Sequence, residues 1–163
     1  MADGTALRIR EIRPDDKPQI AAGVAGLSPR SAYRRFLSAK PSLSAAELRY
    51  LTEVDGINHY ALVALNGATI VAVARFVRLA DDPLAAEVAV TVCDEHQGRG
   101  IGKALGLLLA DAARARGIAV FTADILAENV PAQRLMRSLT ERLAERHEGP
   151  LDHFEAPLAE QAA

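Results

Sequence analysis

Three glycines, Gly98, Gly100 and Gly102, fall within the run Gln97-Gly98-Arg99-Gly100-Ile101-Gly102-Lys103, between a β-branched stretch and a strongly helical one. Glycines let backbone N–H groups approach a ligand closely, and a helix N-terminus adds orphan donors and the positive end of its dipole. The chemistry on offer is a cradle for a pyrophosphate. A dinucleotide-binding loop needs Gly-x-Gly-x-x-Gly in an early βαβ unit, whereas this run follows strands expected to be antiparallel and spaces its glycines differently. A Walker A loop is excluded as well, because no Gly-Lys-Ser/Thr is present. The simpler alternative is a tight strand-to-helix turn, for which one glycine usually suffices.

Upstream, Ala86-Glu87-Val88-Ala89-Val90 sets a carboxylate in an otherwise apolar strand. A partly buried carboxylate with a raised pKa can take a proton from an ammonium group, directly or through water, which makes Glu87 a candidate general base. The competing reading puts Glu87 on a solvated edge or beside an arginine. Asp94, Glu95 and Asp124 are weaker candidates. His59, His96, His147 and His153 include no i, i+4 pair, so no metal site is expected even with Asp94 and Glu95 beside His96. Cys93 is the only thiol, which excludes an internal disulfide and a Cys-rich zinc site and suits a reducing compartment. It reads as a small buried residue rather than a nucleophile.

These groups need a frame. Leu7 to Ile12 alternates apolar and charged residues as a half-buried strand does, and Pro14-Asp15-Asp16 opens a helix running to about Ala25, with Gly26 expected to end it. Arg30 to Leu37 is a second helix behind Ser28-Pro29. Ser44 to Glu53 is a third, begun by the capping-box pair Ser44 and Glu47. The apolar run Tyr60 to Leu65, then Asn66-Gly67, then Thr69 to Val77, predicts a hairpin, and Ala86 to Cys93 a third antiparallel strand. Ile101, Leu105, Leu108, Leu109 and Ala112 keep helical spacing up to Gly117. A strand from Ile118 to Leu126, a helix from about Pro131 to Leu139, and a closing hairpin around Gly149-Pro150 through Leu151 to Leu158 complete the order, with residues after Pro157 expected to fray. The fold class is α/β (α+β), with a mixed, mostly antiparallel central sheet flanked by helices.

At 163 residues, half hydrophobic and a quarter charged, with a formal net charge of -2, the chain reads as one folding domain over residues 1–163. It has no broad positive field for nucleic acid. The N-terminus, with Asp3 and no long apolar core, lacks the form of a secretion signal, and no stretch approaches a membrane span. A cytoplasmic location is expected.

Gln97, Gly100 and Gly102 match the Gln/Arg-x-x-Gly-x-Gly/Ala signature, and the chain here resembles the GNAT superfamily of N-acetyltransferases. The resemblance extends over the helical front, the hairpin, the strand with Val90-Thr91-Val92, and Asn129-Val130-Pro131-Ala132. It implies acetyl-CoA as cosubstrate and no metal. The backbone of Gly98, Arg99, Gly100, Ile101, Gly102 and Lys103 is then expected to hold the pyrophosphate. Val90, Thr91 and Val92 would pair with the pantetheine arm like an added strand and offer a main-chain N–H to the acetyl carbonyl. Asn129 is expected on the pantetheine side of the cofactor; as an N-cap for the helix with Pro131 it is equally well explained. Many GNAT enzymes use a tyrosine as general acid at the position that is Met136 here, and Ser138 is only a remote substitute.

A narrower resemblance lies in Leu27-Ser28-Pro29, Ser31-x-Tyr33-x-Arg35-Phe36, Lys40-Pro41 and Leu51-Thr52-x-Val54-Asp55. This is similar to the catalytic domain of bacterial Pat-type protein lysine acetyltransferases, whose pattern also has a glutamate at the position of Glu87. It implies direct acetyl transfer to a protein lysine, with Glu87 taking the amine proton. Small-amine acetylation is the alternative within the enzyme class; a non-catalytic acyl-CoA-binding sensor is the alternative outside it. Regulation by an attached cyclic-nucleotide domain is not expected from these residues. Arg30, Arg34 and Arg35 read as a solvated basic face beside the acceptor entrance, with recognition of acidic groups as the other possibility, and Tyr33 and Phe36 as anchors of their helix.

Overall fold

The computed structural model describes residues 6–39 and 42–158. In chain order these form β1 (Arg8–Glu11), a 3-10 turn, α1 (Lys17–Ala25), α2 (Pro29–Phe36), α3 (Ala45–Thr52), β2 (His59–Asn66), β3 (Thr69–Arg78) and β4 (Ala85–Val92). A second 3-10 turn leads into α4 (Ile101–Arg114), followed by β5 (Val120–Leu126), α5 (Val130–Leu139), β6 (Ala144–Glu148) and β7 (Leu151–Pro157). The seven strands make one sheet in the order β1-β2-β3-β4-β5-β7-β6. Every neighbouring pair is antiparallel except β4 and β5. The resemblance to Lys40-Pro41 falls outside the described residues, as does the chain beyond Leu158. No helix among the described residues is long and apolar enough to cross a membrane.

Helices cover both faces of the sheet, which explains why Tyr60 to Leu65 is apolar throughout instead of alternating. Tyr60, Leu62 and Ala64 join one core with Phe76, Phe121 and Phe154 and with Leu105, Leu109 and Ala113 of α4. Ala61, Val63 and Leu65 point the other way, into a smaller core with Ile20 of α1 and Leu51 of α3. Each buried phenylalanine contributes about 1.5–3 kcal/mol by leaving water.

Local chemistry sets the element ends. Ser44 and Glu47 form the expected reciprocal cap, with Ser44 N donating to Glu47 Oε2 at 2.8 Å and Glu47 N to Ser44 Oγ at 3.2 Å. Asp16 receives Arg10 Nη1 and Nη2, both at 2.8 Å, and Arg13 N at 2.8 Å, tying β1 to the turn before α1.

Gly26 ends α1 after Ala25 as expected, but at φ -85°, so its left-handed freedom is unused; that conformation belongs to Leu37, at φ 53° after α2. Two details at element ends are corrected. Asn66 pairs with Thr69, so the hairpin loop is Gly67-Ala68 and the asparagine stays in the strand. Leu158 is buried rather than frayed, and its N–H bonds Ala119 O at 2.8 Å.

The sheet's two borders are charged. β1 carries Arg8, Arg10 and Glu11, and all five residues of β6, including Glu145, Arg146, His147 and Glu148, are exposed.

Candidate active site

Inside the sheet, β4 and β5 pair only at Ala85–Val120, Ala86–Phe121 and Glu87–Thr122. Beyond Glu87 they diverge and leave a gap. Cys93 N donates to Val71 O at 2.9 Å, and Val71 lies in the antiparallel register that matches Val73 with Thr91 and Arg75 with Ala89. Hydrogen-bonded pairs alternate along such a ladder, so Thr91 and Ala89 address β3 while Val90 turns its N–H and C=O toward the gap. The side chains of Val88, Val90 and Val92 pack with the α4 core, which places Glu87, Ala89 and Thr91 on the opposite face, toward α2.

The gap widens into a cleft of about 660 Å³. One wall is Glu87 to Val92 of β4 with Gln97, Gly98, Gly100, Ile101, Gly102 and Lys103 of the following turn and helix. The other is Ala123, Asp124 and Ile125 of β5 with Asn129, Ala132 and Met136 around α5, and Ser31, Arg34 and Arg35 of α2 line the third side. Glu87 and every residue expected to hold the cofactor line this cleft except Arg99, which is exposed; the weaker candidates Asp94 and Glu95 lie outside the lining.

The turn suits a pyrophosphate for a specific reason. Gly98 and Gly100 have φ of 74° and 80°, and Gly100 is the N-cap of α4, so no side chain caps the helix. Its first-turn N–H groups therefore have no side-chain acceptor of their own and face the cleft. Gly102 differs: an added Cβ there would meet Val90 Cγ1 at 3.7 Å and Val92 Cγ2 at 3.8 Å, ordinary contacts. The first two glycines answer to backbone conformation and the third does not. Asn129 accepts from Ala132 N at 3.4 Å, so it caps α5 as well as lining the cleft.

Glu87 is exposed, not partly buried as expected. The Arg35 guanidinium, held below its usual range chiefly by burial, is drawn back up by Glu87 and then by Tyr50. Behind it, Arg75 is buried and lowered to about 9, first by desolvation and then by repulsion from Arg35. Arg75 donates to Leu51 O at 3.1 Å and contacts His59 Nε2 at 2.8 Å. Burial and Arg75 depress His59 to about 4, so its neutral ring nitrogen accepts that bond.

The weaker candidates are engaged elsewhere. Asp124 accepts from His153 Nδ1 at 2.7 Å. Cys93 faces a separate cavity of about 60 Å³ beneath α1 and α2 rather than the cleft, and burial pushes its thiol pKa up. Ser138 lines the cleft, but its hydroxyl donates to Leu135 O at 2.7 Å. Met136 is 2% exposed and carries no proton to give.

On α2 the outcome differs from the expected solvated face: Arg30 is exposed, but Arg34 and Arg35 point into the cleft, and Arg34 Nη2 donates to Glu128 O at 3.4 Å. Tyr33, expected as an anchor, is 46% exposed. Sequence reading also missed a polar cluster at Asp94. Asp94 Oδ2 accepts from Ser28 N at 2.8 Å, and Oδ1 accepts from Ser31 Oγ at 2.5 Å and Gln97 Nε2 at 3.2 Å. Ser28-Pro29 was legible as the start of a helix, and Ser28 Oγ caps it by accepting from Ser31 N at 3.2 Å; the partner of Ser28 66 residues away was not legible.

Comparison with known proteins agrees with this geometry. The profile of the Acetyltransferase (GNAT) family matches residues 24–140. The chain is 38% identical over 133 residues to Acetyltransferase Pat of Mycolicibacterium smegmatis, covering 80% of this chain and 40% of that protein. The GNAT domain of S. lividans PAT superposes with a TM-score of 0.88 at 31% identity, covering 96% of this chain and 93% of that domain. The Salmonella typhimurium protein yncA, a putative acetyltransferase solved with its cofactor acetyl-CoA, shares the fold at a TM-score of 0.77 and 21% identity, over 97% of each chain. A cleft between splayed strands, an uncapped glycine turn at its end and a family match over most of the chain converge on one conclusion: the protein belongs to the GNAT family of acetyltransferases, for which acetyl-CoA is the cosubstrate.

Proposed function

We propose that the protein transfers the acetyl group of acetyl-CoA directly to the side-chain amine of a protein lysine, with Glu87 as general base. The observation that carries this reading is the arrangement along β4: Val90 offers its backbone to the gap, and Glu87, on the strand's other face, borders the same cleft. The similarity to Acetyltransferase Pat and to the S. lividans PAT domain, the group that the front half resembles, supports lysine as the acceptor.

In this reading the pyrophosphate lies on the N–H groups of Gly98 to Lys103, and the pantetheine arm runs beside Val90 to Val92 as an extra strand. Asn129 borders its path. The Val90 N–H polarises the acetyl carbonyl. The acceptor amine, after losing a proton to Glu87 directly or through water, attacks the carbonyl carbon; the C–S bond breaks, and the sulfur leaves as thiolate. Met136 has no proton and the Ser138 hydroxyl is committed to Leu135 O, so water supplies the proton that the thiolate takes up. Arg35, which lines the same cleft, sets a positive charge toward Glu87.

The test is acetyl-lysine mass spectrometry on a deacetylated cell extract incubated with acetyl-CoA and either the native chain or Glu87→Gln. Native-dependent acetylation that falls by about 10²- to 10⁴-fold in the variant is expected, the range for loss of a general base. Equal acetylation by both, while the variant still binds acetyl-CoA, sinks the role of Glu87; none by either moves the acceptor to a small amine or the protein to a sensor.

A further inference from the structure

Helix α2 is fastened to both of the turns that flank the cleft. At its N-terminus Asp94 holds Ser28 N, Ser28 Oγ and Ser31 Oγ, and the same carboxylate receives Gln97 Nε2. Gln97 Nε2 also donates to Val92 O at 3.0 Å and reaches Ser31 Oγ at 3.4 Å. The side-chain amide of Gln97 thus joins the end of β4, the start of the glycine turn and the first turn of α2. One helical turn on, Arg34 donates across to the carbonyl of Glu128, next to Asn129. Arg35, one residue further, is the cation that faces Glu87.

We propose that α2 is a strap across the acceptor side of the cleft, and that Asp94 is a positioning residue through which acetyl-CoA binding at the glycine turn fixes α2 and the arginines it carries. The physical route is short. An anion drawn onto the N–H groups of residues 98–103 immobilises the turn that Gln97 begins. Gln97 and Asp94 pass that constraint to the N-terminal turn of α2, which has few other polar ties. The ordering of α2 places Arg35 against Glu87 before the acceptor arrives, so cofactor and acceptor bind with positive coupling, equal in both directions. The negative charge of Asp94 at the N-terminus of α2 adds to the attachment. This rests on the proposed cofactor turn, and the experiment separates the two.

Hydrogen exchange is measured on the full chain with and without saturating CoA, following segments 29–36 and 98–104, in the native protein, Asp94→Ala and Ser31→Ala. In the native chain CoA slows both segments. In Asp94→Ala it still slows 98–104, but the slowing of 29–36 shrinks by about fivefold or more, the lower end of ordinary coupling strengths. Ser31→Ala, which removes a single partner of the carboxylate and leaves the fold little disturbed, shifts 29–36 in the same direction by less. With a lysine acceptor, Asp94→Ala raises KM for the acceptor far more than KM for acetyl-CoA, and Asp94→Asn, which keeps a carbonyl acceptor, restores part of the loss. Unaltered slowing of 29–36 in both alanine variants overturns the strap. Absence of slowing at 98–104 in the native chain overturns the cofactor turn itself and the strap with it.

Discussion

Gly100→Ala and Gly102→Ala, two residues apart in one turn, should have opposite effects. At Gly100 an added Cβ meets nothing within 4 Å, so the cost is purely that of holding an L-residue at φ 80°. That conformation costs about 1–2 kcal/mol. At Gly102 φ is not left-handed, and the new Cβ makes ordinary contacts with Val90 and Val92. Alanine is favoured over glycine within a helix by up to about 1 kcal/mol, so Gly102→Ala is neutral to stabilising. Urea unfolding reads the difference: with m about 2 kcal/mol/M, Gly100→Ala lowers the midpoint by about 0.5–1 M and Gly102→Ala leaves it level or raises it. If the Gly100→Ala turn instead relaxes out of the left-handed region, its N–H groups turn away. The same 1–2 kcal/mol then appears as acetyl-CoA binding weakened about five- to thirtyfold by calorimetry. Gly100→Ala matching the native chain in both stability and binding, or Gly102→Ala losing as much as Gly100→Ala, would refute the argument that backbone conformation, and not crowding, sets the glycines here.

Asp16→Ala strips both bonds from Arg10 and the acceptor from Arg13 N; because Arg10 keeps 20% of its side chain in water, a loss of about 3 kcal/mol is expected in denaturant unfolding, the low end for a broken buried pair. The Asp16 carboxyl lies below its ordinary 3.8, mainly through its bond to Arg10, so the stability it supplies is present above about pH 4 and disappears as pH falls through the depressed value; the variant lacks that component. His59 titrates near 4 in the fold against 6.5 when unfolded, so the unfolded chain binds the extra proton first and stability declines as pH drops from 6.5 toward 4; His59→Gln, whose carbonyl can still accept from Arg75, should flatten thermal melts across that window. Ser44→Ala opens the cap of α3 and should cost about 1 kcal/mol by thermal or urea unfolding, with no effect on acetyl-CoA binding.

The periodic and glycine-marked parts of the fold were legible in the sequence. Ser44 and Glu47 cap α3 as read, the strands and helices run in the order read, and Gly98 and Gly100 turn where the motif placed them, because each depends on neighbours in the chain. What failed depends on tertiary position. Nothing local to Glu87 says that its face of β4 stays open to water, nor that Arg34 and Arg35 turn inward while Arg30 and Tyr33 turn out. The Asp94 clasp joins residues 66 apart, and neither end advertises the other. Gly26 does end α1 as read, yet the left-handed conformation that glycine favours went to Leu37, which no propensity favours.

The charged borders of the sheet bear on how this protein behaves in a crowded solution. An exposed strand edge is a template for self-association, and charges along it discourage a second chain from docking. Arg8, Arg10 and Glu11 on one border and Glu145, Arg146 and Glu148 on the other serve that end. The internal edge at Val90 is flanked instead by apolar Val88 and Val92 and lies within a cleft too confined for another folded sheet to approach. Growth of the sheet outward into aggregates is thus opposed at its rims, while a slender amide-bearing molecule can still enter between β4 and β5 and use the same kind of backbone hydrogen bonding.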